Sequence, residues 1–365
     1  MSGIWGNKLR LSIFGESHGE GIGVVINGLP AGLEIDFELI DKEMKRRAPG
    51  RNKISSQRKE ADSAQIISGY FNNKTTGTPL CAIIRNKDNR SQDYDKTKEL
   101  LRPGHADYTG YIKYKGFNDY RGGGHFSGRL TAPLVFAGAI AKQILMQSNI
   151  VIGSHISSIG HIQDDFFDLV KVDAKTLNQL SKKDFPIVND EKGEEMIELI
   201  EKVKLEGDSI GGTIETAILN LQAGLGEPFF DSVESKLSHL LFSIPGTKGI
   251  EFGRGFEIAR LKGSQANDEY YIKGSEVKTY SNNNGGILGG ITNGMPVIFR
   301  AAIKPTPSIS LKQKTVDIKH MTDTEIEIEG RHDPCIVPRA VPVVEAVSAL
   351  AVLDLLMEQG GKFNE

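Results

Sequence analysis

The chain is poor in cysteine, with two in 365 residues. Cys81 and Cys335 lie far apart and have no metal-ligand spacing, so a metal staple or disulfide framework is excluded as the basis of the fold. Free thiols in a reducing compartment fit this usage, and a single disulfide is also compatible with it. A large excess of one charge is missing too. The net charge of -3 argues against a chain-wide nucleic-acid or membrane surface. Met1 to Leu11 has no apolar run of the kind found in signal peptides. The longest apolar-rich stretch is read as Leu130 to Met146, which is broken by Pro133, Lys142 and Gln143 and reads as too short and too polar to span a bilayer. The expectation is a cytoplasmic protein. No period of 20 to 50 residues repeats and no linker divides the chain, so a single domain over 1–365 is expected.

Glycine is abundant, with 41 residues clustered at 122–124, 211–212, 285–286 and 289–290. Such clusters serve loops that wrap a ligand or tight turns in a sheet-rich fold, and composition does not choose between them. The apolar patterning predicts strands at Leu9 to Phe14, Ile22 to Ile26, Thr78 to Ile84, Ile150 to Ile162, Thr213 to Leu221, Val297 to Lys304 and Glu325 to Glu329. It predicts helices at Asp36 to Arg47, Pro133 to Met146, Asp190 to Leu205 and Pro342 to Glu358. In Thr213 to Leu221 both faces mix apolar and polar residues, so the buried face is not legible. Ser281 to Gly294 reads as a long polar loop. His155 and His161 read as structural.

Several stretches carry chemistry. Gly15-Glu16-Ser17-His18-Gly19 holds a carboxylate, a hydroxyl and an imidazole between two strands. Lys45 to Lys59 holds Lys45, Arg46, Arg47, Arg51, Lys53, Arg58 and Lys59. A solvated face, a nucleic-acid patch without stacking aromatics, and a pocket for a small polyanion all fit that run. Arg102 to Asp107 places Pro103 and Gly104 before His105, with Asp107 close enough to orient it. Arg121 to Arg129 is a glycine-rich approach to a helix, a favourable anion site but neither a Walker loop nor a dinucleotide fingerprint. Lys304 to Ser308 sets a cation beside hydroxyls, and Arg331-His332-Asp333 sets a cation, an imidazole and a carboxylate in consecutive positions.

Together these stretches resemble the chorismate synthase family. The motifs are GESHG at 15–19, KRRAPG at 45–50, RSQDY at 90–94, RPGHADYT at 102–109, RGGG at 121–124, Ser127 and Arg129, GGILGGITNG at 285–294, KPTPS at 304–308, GRHDPC at 330–335 and VPRAVPVVEAV at 337–347. They are collinear and cover almost the whole chain. The resemblance implies an α+β fold, a β-α-β sandwich with helices layered between antiparallel sheets, and a homotetramer. It implies conversion of 5-enolpyruvylshikimate 3-phosphate to chorismate by anti-1,4-elimination of phosphate from C3 and hydrogen from C6. Reduced FMN is the implied cofactor, with NADPH as one candidate reductant, because some members reduce their own flavin and others rely on an outside source. No metal, nucleic acid or membrane is implied.

By the same resemblance, His18 serves the leaving phosphate, His105 the flavin N1–O2 edge, and Asp333, with flavin N5, the C6 proton. Ser17 and Ser127 are proton relays. Arg47, Arg51, Lys53, Arg58 and Arg129 meet the substrate anions. Lys53 stands where many members have arginine, which removes a bidentate fork. His125, Phe126, Ser127, Pro245, Gly246, Gly289, Lys304, Pro305, Thr306, Pro307, Ser308 and Arg331 line the flavin. Two positions depart from the family pattern: His125 stands for a permanent cation and Leu130 for an acid. The paired loss leaves the local charge nearly unchanged. A catalytically silent binding protein and a nucleic-acid binder acting through Lys45 to Lys59 are the competing functions.

Overall fold

The computed structural model describes residues 3–50, 62–86, 98–328, 330 and 332–360. Two five-stranded antiparallel sheets enclose a layer of helices. The first sheet runs in the order Ile4–Trp5, Arg10–Gly15, Gly21–Asn27, Leu80–Arg85, Ala64–Ser68. The second runs Thr247–Phe252, Val297–Ile303, Gly212–Leu219, Val151–Ile159, Ile162–Gln163. Between them, Thr131–Gln147 packs on the first sheet and Val337–Glu358 on the second, and the two helices pack on each other. This is the α+β sandwich that the resemblance implied. A helix pressed from both sides must be apolar all round, and Val337–Glu358 is buried over nearly its whole length. The two helices approach so closely that a β-carbon on Gly138 would lie 2.3 Å from that of Ala346.

Both central helices are long and apolar enough to cross a membrane by length and composition, and both are mostly buried inside the fold. The C-terminal one is the longer and more apolar, so Leu130 to Met146 was not the chain's most membrane-like stretch. It also starts earlier than expected, at Val337, with Pro338 in the first turn. A first-turn proline loses no hydrogen bond, because that N–H has no intrahelical partner. Pro342, read as the start, lies inside the helix.

The helix Phe37–Arg47 starts where the sequence indicates, because Asp36 Oδ1 accepts from the backbone N–H groups of Glu38 and Leu39 at 2.9 and 3.0 Å. Arg46 is buried and donates to Glu345 at 2.6 and 2.9 Å, and Lys142 joins the same carboxylate at 2.6 Å. Burial pushes Glu345 up, but Arg46 and Lys142 outweigh it and hold its carboxyl at about 2. Arg46 therefore belongs to the core, and Arg47 is buried as well, so the basic run is not one continuous surface patch. Arg51, Lys53, Arg58 and Lys59 lie outside the described residues.

In Gly212–Leu219 no face was legible because both are buried. Ile214, Glu215, Thr216, Ala217 and Ile218 are all inaccessible to solvent. Helix Ala174–Leu180 and the segment at Phe167 cover the outer face, where Glu215 accepts from His155 Nε2 at 3.0 Å and from the Phe167 N–H at 2.7 Å. His155 is indeed a sealed residue, while His161 is exposed. The predicted acidic strand lies earlier, at Thr322–Ile326. Glu325 and Glu327 still face solvent between buried Ile326 and Ile328, but the ladder with Gln313–Asp317 ends at Ile326. Ser281 to Gly294 is not all loop, because Ile287–Leu288 and Ile291–Thr292 pair as a short hairpin.

Candidate active site

A cavity of about 680 Å³ opens where the ends of several elements converge. The Arg10–Gly15 strand delivers the first wall. Past it, the chain turns at Glu16 to Gly19, and Asn86 fixes the turn by donating from Nδ2 to the carbonyls of Glu16 and Gly19, each at 3.0 Å. The Ser17 N–H donates to the Gly124 carbonyl at 3.2 Å. Ser17 and His18 are both nearly buried, and both line the cavity. His18 lies over Gly122, whose φ is +59°, and a β-carbon there would sit 2.1 Å from His18 Nδ1 and Cε1. Only glycine combines that backbone conformation with the absence of a side chain. Glu16 is not among the lining residues. Burial, then the neighbouring Asp119, push its carboxyl up from the ordinary range.

The second imidazole comes from the turn before helix Asp107–Lys113. His105 Nδ1 lies 2.7 Å from Asp107 Oδ1. Arg102 grips the same carboxylate, with Nε 2.7 Å from Oδ2, Nη2 2.7 Å from Oδ1, and its backbone N–H 3.0 Å from Oδ2. Burial pushes Asp107 up, but the hydrogen bonds from Arg102 and His105 prevail and hold its carboxyl well below the usual carboxylate range.

Arg47 and Arg129 form a cationic wall around one carboxylate. Asp62 accepts from Nη1 of each arginine through separate oxygens. Arg47 Nε also donates to Thr131 Oγ1 at 3.0 Å, and Arg129 Nε to Asn86 Oδ1 at 3.1 Å. Asn86 thus links Arg129 to the His18 turn. Asp333 accepts from Arg339 Nη1, while Arg339 Nε donates to the Arg47 carbonyl at 3.1 Å. Lys304 Nζ donates to the Gly104 carbonyl, and its backbone N–H to that of Gly246 at 2.9 Å. Burial, then the neighbouring Lys248, hold the Lys304 ammonium below its ordinary range. The strand predicted over Val297 to Lys304 ends one residue earlier, at Ile303. Within it, Arg300 is engaged by Glu215 and Glu251.

The structure therefore brings together Ser17, His18, Arg47, His105, His125, Phe126, Ser127, Arg129, Pro245, Gly246, Lys304, Pro305, Thr306, Pro307, Ser308 and Asp333. His125 lines the cavity rim with Nδ1 2.9 Å from the Gly15 carbonyl, and Leu130 is buried in the core. Gly289 is not brought in: it sits in the turn of the Ile287–Thr292 hairpin, away from the lining residues. Arg51, Lys53, Arg58, Arg331 and the motif at 90–94 lie outside the described residues. Sequence reading did not assign Arg102, Lys248, His332 or Arg339, which also line the cavity. Arg102, His332 and Arg339 lay inside quoted motifs, so a signal existed. Asp62, which holds two arginines, gave none.

The volume falls within the range of small-molecule sites, about 300–1,000 Å³. Phe126, Pro245 and Ile336 offer apolar faces, and Lys248, Lys304, Ser243, Thr306 and Ser308 offer cations and hydroxyls for a phosphate and its chain.

Residues 9–357 match the model of the family described as chorismate synthase. A protein named chorismate synthase from Dehalococcoides mccartyi (strain BAV1) is 48% identical over 361 residues, covering 99% of this chain and 98% of its own. One of the same name from Pyrococcus abyssi is 48% identical over 357 residues, covering 96% and 97%. A solved structure described as the crystal structure of chorismate synthase superposes with a TM-score of 0.77 at 32% identity, covering 98% of this chain and 94% of that one.

Proposed function

The chain belongs to the chorismate synthase family, and from that premise we propose how its cavity works. It is a carbon–oxygen lyase of the shikimate pathway: 5-enolpyruvylshikimate 3-phosphate loses phosphate from C3 and a hydrogen from C6 and becomes chorismate. The family uses a reduced flavin, which we take to be FMN in this chain, held among Phe126, Pro245 and Lys304 to Ser308. When bound, the reduced flavin supplies the electron density that assists departure of the phosphate.

The protein's own groups then have distinct tasks. Arg47 and Arg129 hold the substrate anions, their guanidinium groups bridged by Asp62. His18 donates to the leaving phosphate, with Ser17 beside it as relay. Asp333, held by Arg339, stands at the C6 proton. His105 stabilises the flavin edge. Ser127 is the second relay. The observation that carries this reading is convergence: imidazoles, carboxylate and arginines from residues 17 to 339 line one cavity.

The test is anaerobic phosphate release with and without reduced FMN. Release must require the flavin; unchanged release without it sinks the reading. His18→Ala and Asp333→Ala should each lose about 10²–10⁴ in kcat while remaining folded. Repeating the assay with oxidised FMN and NADPH decides whether NADPH serves as the reductant.

We further propose one domain, a homotetramer and a cytoplasmic location. One continuous core cluster reaches from Leu9 to Leu356, which supports a single unit. Phe117, Phe230 and Phe256 are almost fully exposed, which supports burial against other copies. The two free cysteines and the biosynthetic relatives support the cytoplasm. Light scattering of the purified chain reads the assembly directly, and a monomer would overturn that part.

A further inference from the structure

We infer that Arg102 and Asp107 are positioning residues that lock His105 in the Nδ1–H tautomer, so that its Nε2 lone pair is the atom offered to the cavity. The inference rests on the proposed role of His105 and specifies the form in which that residue waits.

Asp107 Oδ1 lies 2.7 Å from His105 Nδ1. Asp107 is ionised, because the hydrogen bonds from Arg102 and His105 overcome the cost of its burial. An ionised carboxylate can only accept. Two lone pairs at that distance would repel, so the proton between them sits on Nδ1. The Arg102 guanidinium lies 3.2 Å from the same nitrogen, but unlike the carboxylate it can only donate, so it cannot supply the acceptor that Nδ1–H requires. Its work is on the carboxylate. The three Arg102 donors at 2.7, 2.7 and 3.0 Å fix both oxygens and leave no freedom to rotate away from the ring. On its other side the ring lies over Gly123, where a β-carbon would stand 3.0 Å from Nε2 and from Cε1. A flipped ring would present carbon to Asp107 and forfeit the charge-assisted bond.

The consequence is directional. With Nδ1 committed, neutral His105 accepts a hydrogen bond at Nε2 and cannot donate one. Only the imidazolium donates there. His105 therefore has to take up a proton at Nε2 before it can stabilise negative charge in the cavity.

Nitrogen-15 NMR of histidine-labelled protein, free of substrate and flavin, reads the tautomer directly. At a pH where the ring is neutral, His105 should show a protonated Nδ1 and a bare Nε2. A spectrum with the proton on Nε2 overturns the inference outright. Asp107→Asn should move the proton population toward Nε2 and lower kcat by about 10- to 100-fold with little change in KM. Arg102→Lys, which keeps the charge and loses the fork, should show an intermediate population. A variant that loses turnover with the tautomer unmoved also counts against it. If instead the tautomer is as stated but His105→Ala turns over normally, the role of His105 fails and the tautomer assignment survives.

Discussion

The glycine-rich loops at 121–124 and 285–294 look alike in sequence and differ in what their glycines make room for. Gly122 and Gly123 face imidazoles, those of His18 and His105. Gly285 and Gly286 face backbone: a β-carbon on Gly285 would stand 2.5 Å from the Gly253 nitrogen, and one on Gly286 would stand 2.4 Å from the Pro296 carbonyl oxygen. The first loop seats side chains in a cavity, and the second lets main chains cross. Of the two readings that composition left open, each loop takes a different one.

The sharpest way to break this contrast is Gly122→Ala. The new methyl collides with the His18 ring, and displacing a reacting group by about 1 Å can cost 10²-fold. Turnover should fall by at least that factor, with far-UV circular dichroism unchanged. Near-normal turnover would mean that the ring has slack and that Gly122 is an ordinary turn residue. Gly286→Ala should do the reverse. It should lower stability by about 2–4 kcal/mol, seen as a lower urea midpoint, while kcat per folded molecule stays normal.

The histidines extend the contrast and give a pH test. His105 faces the cavity, whereas His155 is fully buried between Asp164 and Glu215, at 3.0 Å from each. Burial lowers the His155 pKa, but the hydrogen bonds the ring donates to both carboxylates outweigh it and raise it above the ordinary value. The charged ring is thus favoured in the folded state. Its stabilisation is complete below the unfolded value of about 6.5 and is lost as pH rises through the higher folded value. The urea midpoint of the wild type should therefore fall over that upper window relative to His155→Gln, in which the difference should vanish. A parallel pH dependence in both proteins would refute the assignment.

Gly289→Ala is the smallest expected change. Nothing lies within 4 Å of a β-carbon there, so only the left-handed backbone, with φ of +63°, is penalised. That costs about 1–2 kcal/mol. Turnover and flavin affinity should stay unchanged. A clear loss of flavin affinity would restore Gly289 to the site, reached through a second copy of the chain.

How much was legible follows from the range over which each signal acts. Asp36 announces its helix because a cap acts over three residues. The site motifs were legible as sets of residue types, and most of their members do line one cavity. Glu215 misled because alternation reports burial only when one face meets water, and here neither does. Asp62 was silent because its two arginine partners lie 15 and 67 residues away.

The sequence by itself determined the family and the order of the chemistry-bearing stretches, because these are written in collinear motifs, and the sandwich of sheets and helices followed from that resemblance rather than from periodicity. The tertiary structure alone decided which of two adjacent arginines is spent in the core and which borders the cavity, which glycines seat rings, and which imidazole nitrogen stands against a carboxylate. Those outcomes depend on partners brought from distant parts of the chain, and a charge or a lone pair is assigned only when its partner is in place.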